Sequence, residues 1–192
     1  MRIVTALHPE RRDRVRVDLD GEPWRTLPAT AVVSAGLRVG GSLDRERARE
    51  LGRSVRRFEA LDAAGKALSH RDRSTAELEA RLEQRGVRPS DRAAAVETMA
   101  RLGYVDDERM ATDRARNMAS RGFGDEAIRF DLESRGIDAE MIASALEHLV
   151  PEAERARAIV ARSDSGIKAA RNLAAKGFSP ETVEAAVAIW PD

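Results

Sequence analysis

The feature that most constrains this chain is a pattern that occurs three times. With Gly86, Gly136 and Gly177 in register, each is preceded by a base (Arg85, Arg135, Lys176) and followed by an apolar residue (Val87, Ile137, Phe178). Four positions before the glycine stand Leu82, Leu132 and Leu173, and eight before it Leu78, Ile128 and Ala169. Ten positions after it come Val96, Leu146 and Val187, and thirteen after it Met99, Leu149 and Trp190. A recurrence spaced by 50 and then 41 residues describes an array whose units bury their apolar faces mainly against their neighbours.

One unit reads as three helices. Ser74, Gly124 and Ser165 fall twelve residues before the glycine, where a helix N-cap is required, and Glu77 completes a capping box with Ser74. Apolar residues then recur at helical spacing up to the basic residue and the glycine, which supply a partner for the helix dipole and a left-handed C-terminal cap. Pro89 and Pro180 share the position three after the glycine and suit a first helical turn, with Asp138 and Ser179 as caps just before a second helix. Leu68, Met118 and Ile159, eighteen before the glycine, mark a further helix upstream. The expected fold is mainly α: three tandem three-helix repeats, preceded by a small cap containing a β-hairpin. A row of such repeats presents an extended concave surface.

The first residues follow another rule. Ile3, Val4 and Leu7 suggest a short strand, and Val15, Val17 and Leu19 alternate with Arg14, Arg16 and Asp18 up to Asp20-Gly21, a tight hairpin signal. Pro23 cannot donate to a ladder, so the strand after the turn is expected at an edge or interrupted. A short helix over 28–35 and a turn at 36–42 complete a cap over 1–43. A linking helix over 44–57 leads to repeats over 58–105, 106–150 and 151–192.

Composition narrows the function classes. Charged residues make up 34% and aromatics 4% of 192 residues, a balance for exposed amphipathic helices. There is no cysteine, hence no disulfide framework or thiolate metal site. No apolar run approaches the roughly 18 residues of a membrane span, and the first residues lack the pattern of a secretory signal, so the expectation is a cytoplasmic protein with no membrane contact. The net charge is zero but uneven: residues 1–57 hold thirteen Lys/Arg against eight Asp/Glu, whereas residues 106–150 hold six against eleven. A uniform basic stripe, the usual footprint of non-specific nucleic-acid binding, is absent. Basic clusters lie at Arg11, Arg12, Arg14 and Arg16, at Arg53, Arg56 and Arg57, and around the first repeat, where arginines bracket the turn before a capped helix. A solvated helix face is the ordinary account of such a cluster.

Signals for catalysis are weak. Ser165 and Lys168 satisfy a Ser-x-x-Lys pattern, but no companion motif accompanies them and the repeat assigns Ser165 to a helix cap. His8, His70 and His148 have no ligand-like spacing, and Asp106-Asp107-Glu108 reads as an acidic helix start. Gly36, Gly40 and Gly41 lack the spacing and the Lys-Ser/Thr of a phosphate-cradling loop. Phe178 and Trp190 take repeat core positions, Tyr104 is expected to pack, and Trp24 suits either core or contact surface. No enzyme, metal or cofactor is expected.

The ordered motifs carry a family resemblance. Arg71-x-Arg73-Ser74-x-x-Glu77-Leu78-x-x-x-Leu82-x-x-Arg85-Gly86 is followed by Leu102-Gly103-Tyr104-Val105-Asp106-Asp107-Glu108, and then by Gly124-x-x-x-Ile128-Arg129-x-x-Leu132-x-x-Arg135-Gly136-Ile137. In order and spacing they resemble the RecX family of recombinase regulators. The hairpin at 17–22 and Gly36-Leu37-x-x-Gly40 resemble an N-terminal extension found in many members. Met110 stands where an aromatic commonly follows the Asp-Asp pair, which weakens any contact resting on such a ring. The third repeat, with Ala169 and Asn172, is the most diverged.

The resemblance implies an elongated, curved array without enzymatic activity that lies in the groove of the RecA filament on single-stranded DNA. It further implies restraint of filament growth, ATP hydrolysis, strand exchange and co-protease activity, and through them of recombination, DNA repair and the SOS response. The expected partners are RecA as monomer and filament, with weak affinity for single- or double-stranded DNA, for a chain that is itself monomeric. The residues expected at the partner surface are Arg71, Arg73, Arg81 and Arg85 of the first repeat and Arg114, Arg121 and Arg129 of the second, since a guanidinium fork grips carboxylates and phosphates alike. Stabilising pairs such as Glu77 with Arg81 are the competing account. Two other classes stay open. Direct DNA binding by three-helix modules predicts affinity without RecA and a steep loss with salt; a helical scaffold for an unrelated partner predicts neither.

Overall fold

The computed structural model describes residues 1–188, so the expectation for Trp190 lies outside the described residues. The chain divides into two compact units, one of Met1–His70 with Arg81–Met99, the other of Arg71–Ala80 with the chain from Ala100 onward. Among the described residues there are ten helices and four strands. The fold is mainly α with a small N-terminal antiparallel sheet.

The first unit opens with β1 (Arg2–Glu10), β2 (Arg14–Leu19), β3 (Glu22–Pro28) and the short β4 (Ser42–Leu43), in the sheet order β3-β2-β1-β4. Asp20 and Gly21, both at positive φ, form the expected β2–β3 turn, and β3, with its proline, lies at the edge. The strand over the first residues is longer than expected because a second hairpin joins β1 to β2 through Arg12 and Asp13, which also take positive φ. Two adjacent non-glycine residues in that conformation are uncommon, and this turn has no glycine to signal it. α1 (Ala29–Ser34) follows. Val4, Val17, Leu19 and Leu27 of the sheet close a core with Ala31, Val32, Leu43 and Leu51, and Trp24 packs half-buried against it.

Leu51 belongs to α2 (Arg45–Leu68), which Asp44 starts by accepting a hydrogen bond from the Arg47 N–H. α2 runs unbroken through positions 57 and 58, so the linking helix and the first helix of the first repeat are one element. α3 (Thr75–Gln84) and α4 (Pro89–Arg101) follow, with the expected left-handed Gly86 between them.

The second unit continues with α5 (Asp107–Ser120), α6 (Asp125–Ser134) and α7 (Ala139–Glu147), then α8 (Glu152–Val160), α9 (Gly166–Ala175) and α10 (Pro180–Val187). The three helices of each set pack on one another. The repeat register identifies the central residues: Ile128 and Leu132 of α6, like Ala169 and Leu173 of α9, are buried. Burying a side chain the size of Leu132 contributes about 2 kcal/mol. Gly136 and Gly177 end α6 and α9 at positive φ, and Asp138 and Ser179 cap the next helices.

Tyr104 departs from expectation. It is 64% exposed while Val105 is buried, because Gly103, at positive φ beyond the end of α4, turns the chain so that Leu102 and Tyr104 face solvent. Ser165 and Gly124 occupy N-cap positions, but only Ser74 of the three makes the side-chain cap.

Candidate functional site

The start of α3 is built by side chains that reach it from α5 and α6. The Ser74 hydroxyl accepts from the Glu77 N–H at 3.0 Å, and the Ser74 N–H donates to the Glu77 carboxylate at 3.4 Å, a complete capping box. Ser74 is fully buried, and its hydroxyl proton goes to the Arg135 carbonyl at 2.5 Å. Asp107, the first residue of α5, accepts from the Thr75 N–H at 2.8 Å. Acidic residues at a helix start favour its dipole; here one of them caps a neighbouring helix as well.

Charged side chains continue from this junction. The Glu77 carboxylate accepts from Arg71 at 3.1 Å and from Arg135 at 3.0 Å. Arg135 also donates to Asp131 at 2.9 Å, and Arg114 grips Asp131 with two bonds of 2.9 and 2.7 Å. The Arg114 guanidinium, assisted by Arg135, holds the Asp131 carboxyl down at about 2, against the cost of partial burial. In return Asp131 raises the Arg114 pKa. Alternating charges of this kind fix each other's rotamers and present arginines in one set arrangement.

The arginines of this network, Arg71, Arg114 and Arg135, line an open cleft of about 450 Å³ in the second unit. Arg71, Arg73, Arg109, Arg114 and Arg135 line it, interspersed with Asp72, Asp106 and Asp113. Exposed Tyr104 and half-buried Met110 add apolar surface. Met110 also packs against the core around Ala111 and Ala115, which is what a flexible thioether does at an aromatic's position. Five guanidinium groups among three carboxylates suit a surface that itself carries both signs, with acidic groups in excess.

The structure brings Arg71, Arg73 and Arg114 into this cleft and leaves the other expected residues outside it. Arg81 donates to Gln84 at 3.2 Å, and Arg85 is exposed beside Gly86. Arg129 is exposed on α6 next to Phe130, itself 74% exposed. Arg121 lines a different cleft, its guanidinium 5.8 Å from the Phe123 ring centroid. Sequence reasoning misses Arg109, Arg135 and Asp131. It gives Arg135 to the helix dipole, and the spacing of Asp131 four before it signals a pair without showing that Arg114 and Glu77 join. Among the described residues no group of three His, Cys, Asp or Glu could hold a metal ion, and no helix is long and apolar enough to cross a membrane.

Residues 106–146 match the family model described as RecX, second three-helix domain. A protein of Chromohalobacter salexigens named Regulatory protein RecX is 37% identical over 136 residues, which are 66% of this chain and 90% of that protein. One of the same name from Xanthomonas axonopodis pv. citri is 33% identical over 153 residues, 74% of this chain and 94% of the other. A crystal structure of a regulatory protein RecX superposes with a TM-score of 0.78 over 96% of this chain and 98% of its own, at 20% identity. RecX from Lactobacillus salivarius gives a TM-score of 0.61 over 69% of this chain and 95% of its own, at 21% identity. At those identities the structural likeness bears on fold alone.

Proposed function

The chain belongs to the RecX family of regulatory proteins, and from that membership we propose that it binds the RecA recombinase, as monomer and as filament on single-stranded DNA, and restrains it. The effect falls on ATP hydrolysis, strand exchange and co-protease activity, and so on recombination, repair and the SOS response. The protein catalyses no reaction of its own in this reading and works in the cytoplasm. The observation that carries the reading is the family membership; the cleft supplies a contact of suitable chemistry. Arg71, Arg114 and Arg135 are braced by Glu77 and Asp131 before a partner arrives, so less side-chain entropy is lost on binding. Arg71 and Arg73 are the first candidates for contact with RecA, and Arg81, Arg85 and Arg129 offer further donors outside the cleft.

A modulator that favours a low-activity state of a cooperative polymer needs unequal affinity for its two states. The test is the ATPase rate of the cognate RecA on single-stranded DNA, titrated with this protein from well below one per RecA monomer. A steep substoichiometric fall is expected. Unchanged ATPase and unchanged filament assembly at excess protein would overturn the reading.

A further inference from the structure

The second unit holds another cleft, of about 630 Å³, whose chemistry differs from the first. Arg121, Arg155, Arg162, Lys168 and Lys176 line it, together with the neutral polar Ser120, Ser163 and Asn172, and among the described residues no Asp or Glu does. Arg155 is already satisfied: it pairs with Asp125 and donates to the carbonyls of Phe123 and Val150. The other four cations are not ion-paired with any carboxylate among the described residues. They come from the end of α5 (Arg121), the turn after α8 (Arg162) and the two ends of α9 (Lys168 and Lys176). From this geometry we infer that the cleft binds the phosphodiester backbone of a nucleic-acid strand without reading its bases.

The driving force is electrostatic. Cations gathered in one depression repel one another and focus a positive potential there, and an anion in the cleft relieves that repulsion. Two of the four are held in place. The Phe123 ring lies 5.5 Å from the Lys176 ammonium and 5.8 Å from the Arg121 guanidinium, and Lys176 donates to the Arg121 carbonyl at 3.0 Å. Charges from three places in the fold suit a ligand that repeats its charge along its length better than one small ion. The hydroxyls of Ser120 and Ser163 and the Asn172 amide are further groups of the kind that position a strand by its phosphates. An acidic protein segment is the competing macromolecule. The first cleft, with carboxylates among its arginines, suits a mixed protein surface, and this one does not.

Strand binding of this kind needs no RecA, and it is tested with RecA absent. Binding of a fluorescent single-stranded oligonucleotide is followed by anisotropy across a salt series, for the natural chain and for the double variants Arg162→Gln/Lys168→Gln and Arg71→Gln/Arg73→Gln. Arg162 and Lys168 are exposed, so their variant keeps the fold, which circular dichroism checks. Removing two phosphate partners should weaken binding about tenfold and flatten the plot of log affinity against log salt by about 1.4, while the first-cleft variant binds like the natural chain. An abasic oligonucleotide of equal length should bind equally well. No binding at low salt, an unchanged slope in the Arg162/Lys168 variant, or failure of the abasic strand would overturn the inference. So would displacement by ATP or by polyglutamate at equal charge as effective as displacement by an unlabelled strand.

Discussion

Asp131 shows how one residue sets the state of the cleft. Its carboxylate receives two bonds from Arg114 and one from Arg135, and its pKa falls from 3.8 to about 2. A folded value below the unfolded one means that the ionised form stabilises the fold. The contribution is complete above the unfolded value and is lost as pH falls through about 2. The shift corresponds at most to about 2 kcal/mol, and solvent around this partly exposed group screens it to about 1 kcal/mol. Asp131→Asn should therefore lower the unfolding free energy at neutral pH by about 1 kcal/mol and remove the corresponding loss between about pH 4 and pH 2. Urea unfolding of both proteins across that range measures it, and an Asn variant as stable as the natural chain at neutral pH would show that the arginines find other partners. Sequence places Arg114 among the partner-binding residues as a second-repeat arginine whose fork can grip carboxylates and phosphates. That Arg114 is tied to a residue seventeen positions away is a tertiary fact with no local pattern to announce it.

At the scale of elements, the helices and their ends are legible because cap chemistry is local. Ser74, Asp138 and Ser179, with the glycines after α3, α6 and α9, each act within a few residues of where they stand in sequence. What one repeat asks of the next is not legible. Gly124 takes the place of Ser74, and by propensity a serine there should improve the cap. Its φ of −81 would admit any residue, yet a Cβ would collide with the Gly177 carbonyl, because the backbone of α6 meets the turn after α9 directly. Its N–H donates to the Lys176 carbonyl at 2.9 Å, the contact that in the first repeat the Ser74 hydroxyl makes to Arg135. Gly124→Ser should thus destabilise the chain by about 2 kcal/mol or more, opposite in sign to the capping rule. Ser74→Ala should cost about 2 kcal/mol as well, by leaving a helix start uncapped and removing the hydroxyl donor from the part-buried Arg135 carbonyl. Thermal or urea unfolding distinguishes the signs, and a more stable Gly124→Ser variant would mean that α6 and the α9 turn can separate freely.

For the molecule as a whole, a net charge of zero conceals two clefts of opposite design. Counting charges by segment marks residues 106–150 as acidic and places the basic excess near the N-terminus. Yet Arg121, Arg162, Lys168 and Lys176 converge in space from segments that are acidic or balanced in sum, so only folding reveals them. If the mixed cleft serves a protein partner and the purely cationic one a phosphate backbone, the two activities should separate by mutation. Arg71→Gln/Arg73→Gln should raise the concentration needed for half-inhibition of RecA ATPase about tenfold, the scale set by removing charge-assisted hydrogen bonds, and leave oligonucleotide affinity intact. Arg162→Gln/Lys168→Gln should weaken oligonucleotide binding and reduce its salt dependence, because a strand neutralised at fewer phosphates releases fewer counterions. Both variants keep the buried residues of the second unit untouched, so a shared loss of stability is not expected to blur the comparison. Measuring both activities for both variants gives four numbers. Equal losses in all four would mean a single continuous surface, and would remove the division of labour between the clefts.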